Sequence, residues 1–460
     1  MSVIRIRGLH SLEGNIRIQG SKNAVLPLMA ASLLHSGTVT ITNVPRIQDV
    51  NCMMGILEYL GCSCVLEDHS LTIDTRALSA ARIPDQEAGQ MRSSIMLLGP
   101  LLGRMRQAVS RHPGGCSIGK RPIDLHLSAL RAMGADIRVE GEQITASTPG
   151  LAGTGIRLSF PSVGATENVL MAAVAAEGTT VLEGAAVEPE IEVLCRFLRE
   201  MGAQIEGAGT DTLVVHGGVP LHDVTFAAPG DRIVAGTYLG AVMAAGGDLL
   251  LAGAPAGHME QVLAVAARAG CQVEILPEGV HVRMEGRPKP FVLSTGPYPG
   301  FPTDLQSVMV AVAAVADGTS AIRETVFEGR FASAKELQKL GGHIIIKDRT
   351  VLVEGACPLA GKEEAPREAQ AKAGDRQEVE VQAKAGDRQE VEAQAKAGDQ
   401  QGGVAQVEAR DLRGGAALVV AALAAKGETV VTGCEHISRG YEDICGDLAA
   451  VGAEIWMERE

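Results

Sequence analysis

The chain has 460 residues, of which 46% are hydrophobic and only 3% aromatic, with 55 glycines. That length allows two or three domains with cores packed by Ala, Val, Leu and Ile. A formal net charge of −14 argues against general nucleic-acid binding, so cations for an anionic substrate must be gathered locally.

In chain order, the first marked segment is Gly20-Ser21-Lys22-Asn23-Ala24, just ahead of the apolar run VLPLMAASLL. A Lys and an Asn at a helix start can meet an anion beside free N–H groups, or can simply be exposed next to a cap. A strand-like HSGTVTITNV follows, then LEYLGCSCVLE, an apolar helical run ending in Gly and a second strand-like run. Gln90-Met91-Arg92-Ser93-Ser94 heads another apolar helix. Next comes the loop Arg111-His112-Pro113-Gly114-Gly115-Cys116-Ser117-Ile118-Gly119-Lys120-Arg121-Pro122. Its glycines allow close backbone approach, and its cations favour thiolate at Cys116. Read from these residues alone, Cys116 is either a reactive thiol facing an anion or a passively buried one.

Further on, PSVGAT at 161–166 supplies small residues and backbone donors at a strand–helix turn. Tyr298-Pro299-Gly300-Phe301-Pro302-Thr303-Asp304 is stiffened by prolines and aims Asp304 at the helix LQSVMVAVAAV, which Asp304 could equally cap. Asp411-Leu412-Arg413-Gly414-Gly415 opens another Ala-rich helix.

The helix–Gly–strand pattern recurs at Gly61, Gly134, Gly202, Gly270, Gly341 and Gly452, at intervals of 73, 68, 68, 71 and 111 residues. Each Gly fits the position that ends a helix. Six α+β units of about 70 residues predict a pseudo-symmetric α/β fold in two groups of three. The long last interval holds residues 361–403, where AKAGDRQEVE occurs at 371–380 and 383–392. This period-12, polar stretch cannot bury enough surface to offset its ordering entropy and is expected to be a disordered surface insertion.

Nine cysteines without a CxxC pair suggest neither a disulfide framework nor a zinc site. The start MSVIRIRGLHSLEGNIRI lacks the apolar core of a signal peptide, and no apolar run reaches spanning length. A cytoplasmic protein without metal or organic cofactor is expected.

The ordered set GSKNAVLP, NVPRIQDV, PGGCSIGKRPIDLH, PSVGATEN, EPEIEVL, PGFPTDLQ, TVFEGRF, DLRGGAALV and ISRGYE closely resembles the UDP-N-acetylglucosamine enolpyruvyl transferases (1-carboxyvinyltransferases). The resemblance runs from residue 6 to the end, apart from 361–403. It implies an inside-out α/β barrel pair, with residues 21–229 in one domain and 1–20 and 230–460 in the other. It also implies transfer of enolpyruvyl from phosphoenolpyruvate to the 3′-hydroxyl of UDP-N-acetylglucosamine, with phosphate released, as the first committed step of bacterial peptidoglycan synthesis. No protein, nucleic-acid or membrane partner is implied.

By the same resemblance Asp304 is the base toward the hydroxyl, and Cys116 the proton donor on a glycine-rich lid. Lys22, Arg121 and Arg413 hold phosphoenolpyruvate, with Arg92 a further cation. The nucleotide sugar contacts Asn23, Arg121, Pro122, Ile123, Asp124, Leu125, Ser162, Val163, Gly164, Asp304 and Val326. Asp49 and Glu188 read as structural or domain-closing. Two departures stand out. Gly329-Arg330-Phe331-Ala332-Ser333 replaces the family's Asn-Arg-Phe-Met-His, and Phe160 stands where a basic residue is frequent. The rivals are a sister transferase acting on shikimate 3-phosphate and a non-catalytic UDP-sugar-binding paralogue.

Overall fold

The structure, a computed structural model of the chain, describes residues 2–114, 119, 122–356, 358–360 and 404–459. Cys116, Arg121 and the repeats at 361–403 lie outside the described residues.

Six glycines set the plan. At each of Gly61, Gly134, Gly202, Gly270, Gly341 and Gly452, φ lies between 87° and 109°, a left-handed backbone that L side chains rarely adopt. Each follows a helix end, and the residue after each glycine returns its N–H to a carbonyl in the last helical turn. Cys62 N donates to Leu57 O at 2.9 Å, Ala135 N to Leu130 O at 3.1 Å, and Ala453 N to Leu448 O at 3.0 Å. This is the Schellman ending. It turns the chain out of an amphipathic helix and into a strand, six times over.

The strands form five four-stranded sheets, one three-stranded sheet and a two-stranded ribbon among the described residues. Each four-stranded sheet has an outer strand parallel to its neighbour, followed by an antiparallel pair. Gly155–Arg157 runs parallel to Thr179–Glu183, which pairs antiparallel with Thr212–His216. In the three-stranded sheet a single parallel bridge between Arg82 and Val109 stands in the fourth strand's place.

The N-terminal strands close units built far along the chain. Ser2–Arg7 lies between Glu428–Thr432 and Glu454–Arg459, and Leu12–Arg17 runs parallel to Gly247–Ala252. Val224–Ala227, from the middle of the chain, completes the first sheet beside Thr38–Thr42.

Two hydrophobic cores result. One draws on residues 24–228, the other on residues 4–18 and 233–455. Each is centred on helices that are buried on nearly every side and mostly apolar, as helices enclosed by sheets must be. These are Lys22–Ala31, Leu98–Met105 with its preceding turn Arg92–Leu97, and Val163–Ala175 in the first. In the second they are Arg232–Ala245, Gln306–Ala314 and Leu412–Leu423. The chain crosses between the cores at Gly20 and Gly230, which form a backbone bridge. A β-carbon at Gly20 would sit 1.6 Å from the carbonyl oxygen of Asn43, so only glycine fits there. Among the described residues no helix is long and apolar enough to cross a membrane.

Candidate active site

All six enclosed helices, or the turns that lead into them, begin at one cavity. It has a volume of about 600 Å³ and is lined by residues of both cores. The wall includes Lys22 and Asn23, Arg92, Ser162 to Gly164, Arg232, Thr303 and Asp304, and Asp411 to Arg413. A helix N-terminus presents unpaired N–H groups and a positive partial charge. Six of them open on one space, but Ser21, Ser162, Asp231 and Asp411 cap four of these ends, so the positive charge there comes mainly from the lysine and arginine side chains.

Caps set the side chains. Ser21 precedes Lys22–Ala31 and accepts from Ala24 N at 3.4 Å. Asp231 accepts from Ile233 N at 2.8 Å and from Val234 N at 3.1 Å. Its other oxygen accepts from Lys22 N at 3.1 Å, tying a helix of one core to a helix of the other. Asp411 caps Leu412–Leu423 through Arg413 N and Gly414 N at 3.0 and 2.8 Å. With its backbone held this way, Arg413 begins the helix facing the cavity.

Two ionic clusters occupy the floor. In the first, Asp49 Oδ2 lies 2.6 Å from Lys22 Nζ, and Asp49 Oδ1 accepts from Arg439 Nε at 2.9 Å. Lys22 belongs to the first core's helices and Arg439 to the segment after Cys434–Ile437, so Asp49 bridges the cores. Burial pulls the Lys22 ammonium below the usual lysine range, and the Asp49 charge works against that fall.

In the second cluster, Asp304 Oδ1 accepts from Arg330 Nη2 at 2.6 Å, and Oδ2 lies 3.1 Å from Arg413 Nη2. Arg330 also donates to Thr303 O, and Arg413 Nη1 to the Tyr441 hydroxyl at 3.4 Å. Burial disfavours the Asp304 charge, but the two guanidiniums outweigh it and hold the carboxyl well below the usual range. Arg413 is raised in turn: burial opposes its charge and Asp304 more than restores it.

A third group forms the side wall. Arg232 Nε donates to Glu190 Oε1 at 2.9 Å and Nη2 to Oε2 at 3.1 Å, a two-pronged pair across the cores. Glu188 accepts from Tyr298 N at 3.2 Å, a second crossing. Burial raises Glu188, and burial beside Glu190 and Glu188 pushes Glu167 well above the usual carboxylate range.

Of the residues expected from sequence, Lys22, Asn23, Arg92, Pro122, Asp124, Leu125, Ser162, Val163, Gly164, Asp304, Val326 and Arg413 all line this cavity. Ile123 does not; its side chain is buried in the first core. Cys116 and Arg121 fall outside the described residues. Arg330, the arginine that the altered segment Gly329–Ser333 shares with the family pattern and a possible contact by that resemblance, grips Asp304 directly. Glu167, Glu190, Arg232, Tyr298, His126 and Arg439 also line the wall without having been singled out. Glu190 and Arg439 sit inside motifs quoted above, EPEIEVL and ISRGYE, but nothing local marked them as paired.

Fold and site together define a cleft between two similarly built cores, lined by buried lysine and arginine, and comparison with known proteins names its class. The family model described as EPSP synthase (3-phosphoshikimate 1-carboxyvinyltransferase) matches residues 6–370 and 377–448, and the chain belongs to this family of enolpyruvyl transferases. Within it the chain groups with the UDP-N-acetylglucosamine 1-carboxyvinyltransferases. It is 42% identical to the protein of that name from Zymomonas mobilis, with 99% of each chain covered. It is 39% identical over 99% of each chain to UDP-N-acetylglucosamine 1-carboxyvinyltransferase 2 of Caldanaerobacter subterraneus. Among solved structures, the enolpyruvyl transferase NikO from Streptomyces tendae matches with TM-score 0.82 at 25% identity, over 99% of this chain and 98% of that one. EPSP synthase from Acinetobacter baumannii shares the fold, with TM-score 0.70 at 18% identity and both chains fully covered.

Proposed function

We infer that the chain transfers the enolpyruvyl group of phosphoenolpyruvate to the 3′-hydroxyl of UDP-N-acetylglucosamine, releasing phosphate and opening peptidoglycan synthesis. The observation that carries this reading is the convergence of six helix N-termini, with buried Lys22, Arg330 and Arg413, on one cavity beside Asp304. Phosphoenolpyruvate carries a phosphate and a carboxylate, which such a site suits. The names of the 39–42% identical relatives support the acceptor.

In the proposed reaction the 3′-oxygen bonds to C2 of phosphoenolpyruvate while its C3 methylene takes a proton. The tetrahedral intermediate then loses phosphate from C2 and a proton from C3, restoring the double bond. Asp304 accepts the hydroxyl proton. A substrate anion on Arg413 competes with Asp304 for that guanidinium, which raises the basicity of the carboxylate. Lys22, Arg413 and the helix ends stabilise charge that develops on the phosphate. Cys116, on its glycine-rich segment, is assigned the C3 proton transfer, which a thiol next to cations can perform. The two cores act as two domains closing on substrate, with Glu190–Arg232, Asp49–Arg439 and Glu188–Tyr298 as the contacts made on closure. The protein works in the cytoplasm, where both substrates are made.

A phosphate-release assay with phosphoenolpyruvate tests this reading. UDP-N-acetylglucosamine should support turnover and shikimate 3-phosphate should not. Folded protein that releases phosphate with neither acceptor, or only with shikimate 3-phosphate, would overturn it.

A further inference from the structure

Tyr441 belongs to the motif ISRGYE and touches Arg413, and the reading above gives it no part. It is 2% exposed and is held from both ends. Its main chain is clamped by Gln19, whose Nε2 donates to Gly440 O at 3.2 Å and whose Oε1 accepts from Glu442 N at 2.9 Å. Gly440 lets the segment lie on Leu412, the residue before Arg413; a β-carbon there would come within 2.8 Å of the Leu412 side chain. At the other end the Tyr441 hydroxyl lies 2.8 Å from Thr237 Oγ1, on the helix Arg232–Ala245.

The groups at the two ends settle the direction of these bonds. Thr237 Oγ1 donates to Ile233 O at 2.9 Å, one turn back along its helix. A threonine hydroxyl has one hydrogen, so Thr237 has none left for Tyr441 and accepts from it. Arg413 Nη1 can only donate, so the Tyr441 oxygen, 3.4 Å away, accepts. One chain of donors therefore runs from Arg413 to Tyr441, then to Thr237, then to the Ile233 carbonyl. The Arg413 guanidinium carbon also lies 5.7 Å from the centre of the Tyr441 ring, within cation–π range. Neither contact neutralises the cation, because burial pushes the Tyr441 hydroxyl above its ordinary value and the phenol stays uncharged at neutral pH. Asp304 differs on that point. Its Oδ2 accepts from Nε and Nη2 of the same guanidinium, at 3.3 and 3.1 Å, and it is the group assigned to receive the hydroxyl proton.

We propose that Tyr441, aligned by Thr237, is a positioning residue that keeps the Arg413 guanidinium in place when Asp304 releases it, either to a substrate anion or on taking up a proton. This rests on the proposed enolpyruvyl transfer. A second carboxylate in the place of Tyr441 would also hold Arg413, but it would cancel the charge that the substrate anion has to meet. A phenol holds the guanidinium and leaves its charge in force, as a preorganised cation requires. Thr237 acts only through Tyr441: with its own hydrogen committed to Ile233 O, it aims the Tyr441 hydrogen away from Arg413 and leaves a lone pair facing Nη1.

The test measures kcat, KM for each substrate and phosphoenolpyruvate binding by titration calorimetry, on wild type, Tyr441→Phe, Thr237→Val, Thr237→Ser and the double variant of Tyr441→Phe with Thr237→Val. In Tyr441→Phe, which keeps the ring, kcat/KM for phosphoenolpyruvate should fall at least tenfold while KM for UDP-N-acetylglucosamine stays within twofold. Thr237→Val should lose less in the same direction, and Thr237→Ser, which keeps the hydroxyl, should restore most of that loss. The double variant should be no worse than Tyr441→Phe, since the threonine acts through the tyrosine. A role in stability alone would weaken both substrates together and give losses that add. The proposal is overturned if kcat/KM for phosphoenolpyruvate in Tyr441→Phe stays within twofold of wild type, if both substrates weaken equally, or if the two losses add. If Tyr441→Phe fails to fold, the threonine variants decide, and equal kinetics for Thr237→Val and Thr237→Ser overturn it. Wild-type turnover with an unaltered Tyr441→Phe sinks this proposal alone. Wild type that binds phosphoenolpyruvate without releasing phosphate sinks the assigned reaction alone, provided Tyr441→Phe weakens that binding at least tenfold; unchanged binding there sinks both.

Discussion

Asp49→Asn tests how the cleft keeps Lys22 charged. Asp49 is the group that raises Lys22; burial and the neighbouring Arg413 and Arg439 all lower it. At 2.6 Å and an effective dielectric constant of about 20, the Coulomb attraction is about 6 kcal/mol. Asparagine retains a hydrogen bond but no charge, so the loss should match other truncated buried pairs, roughly 3–5 kcal/mol. Even the lower figure moves Lys22's protonation equilibrium by a factor on the order of a hundred. The sign follows directly: without its anion the buried ammonium gives up its proton at lower pH, and kcat/KM for phosphoenolpyruvate is lost on the alkaline side. A pH profile of kcat/KM from 6 to 9.5 should show the alkaline limb of Asp49→Asn displaced to lower pH, with Asp49→Glu restoring most of it. Superimposable profiles for wild type and Asp49→Asn would refute the argument, because Lys22 would then hold its proton without Asp49.

Cys116→Ser should cut kcat by two or more orders of magnitude while UDP-N-acetylglucosamine binding changes less than about threefold, and Asp304→Asn should cut kcat at least as far; unchanged turnover in either variant removes that residue's assigned role. Acid should expose His126 in stability measurements. Its folded value of about 4 lies below the ordinary 6.5, so the unfolded chain takes up the proton first and stability falls as pH drops through that window. The full effect is about 3 kcal/mol, and His126→Gln should flatten that part of a denaturation-versus-pH curve; an unchanged slope would count against it. Replacing residues 362–402 by a short Gly/Ser linker should leave melting temperature and turnover near wild type, because both flanking strands are paired, Leu359–Ala360 with Ala425–Lys426 and Val404–Glu408 with Glu428–Thr432. Loss of folding would show that the repeats are needed.

The repeat was legible because its signal is local. A glycine that must adopt positive φ after an apolar helical stretch is a one-residue requirement, and all six glycines meet it. Lys22 and Arg413 were legible for a related reason, since each opens a helix beside its cap, Ser21 or Asp411; Asp304 lies in the turn before its helix, and its carboxylate caps nothing there but binds Arg330 and Arg413. Arg232, Glu190 and Arg439 carry no such mark. Glu190 lies 42 residues from Arg232, and Asp49 lies 390 from Arg439, so their pairing comes from docking one core on the other. Ile123 shows the converse, since its place in a motif said nothing about which way its side chain would turn.

The sequence by itself therefore determined six α+β units, the helix starts that hold the chemistry, and the family, because periodicity, glycine and capping are properties of neighbouring residues. Only the tertiary structure decided that all six enclosed helices begin at one cavity, that Asp304 sits between two guanidiniums, and that Asp49 joins Lys22 of one core to Arg439 of the other. The physical reason is that charge state depends on burial and on partners within a few ångströms, and those partners come from distant stretches of chain.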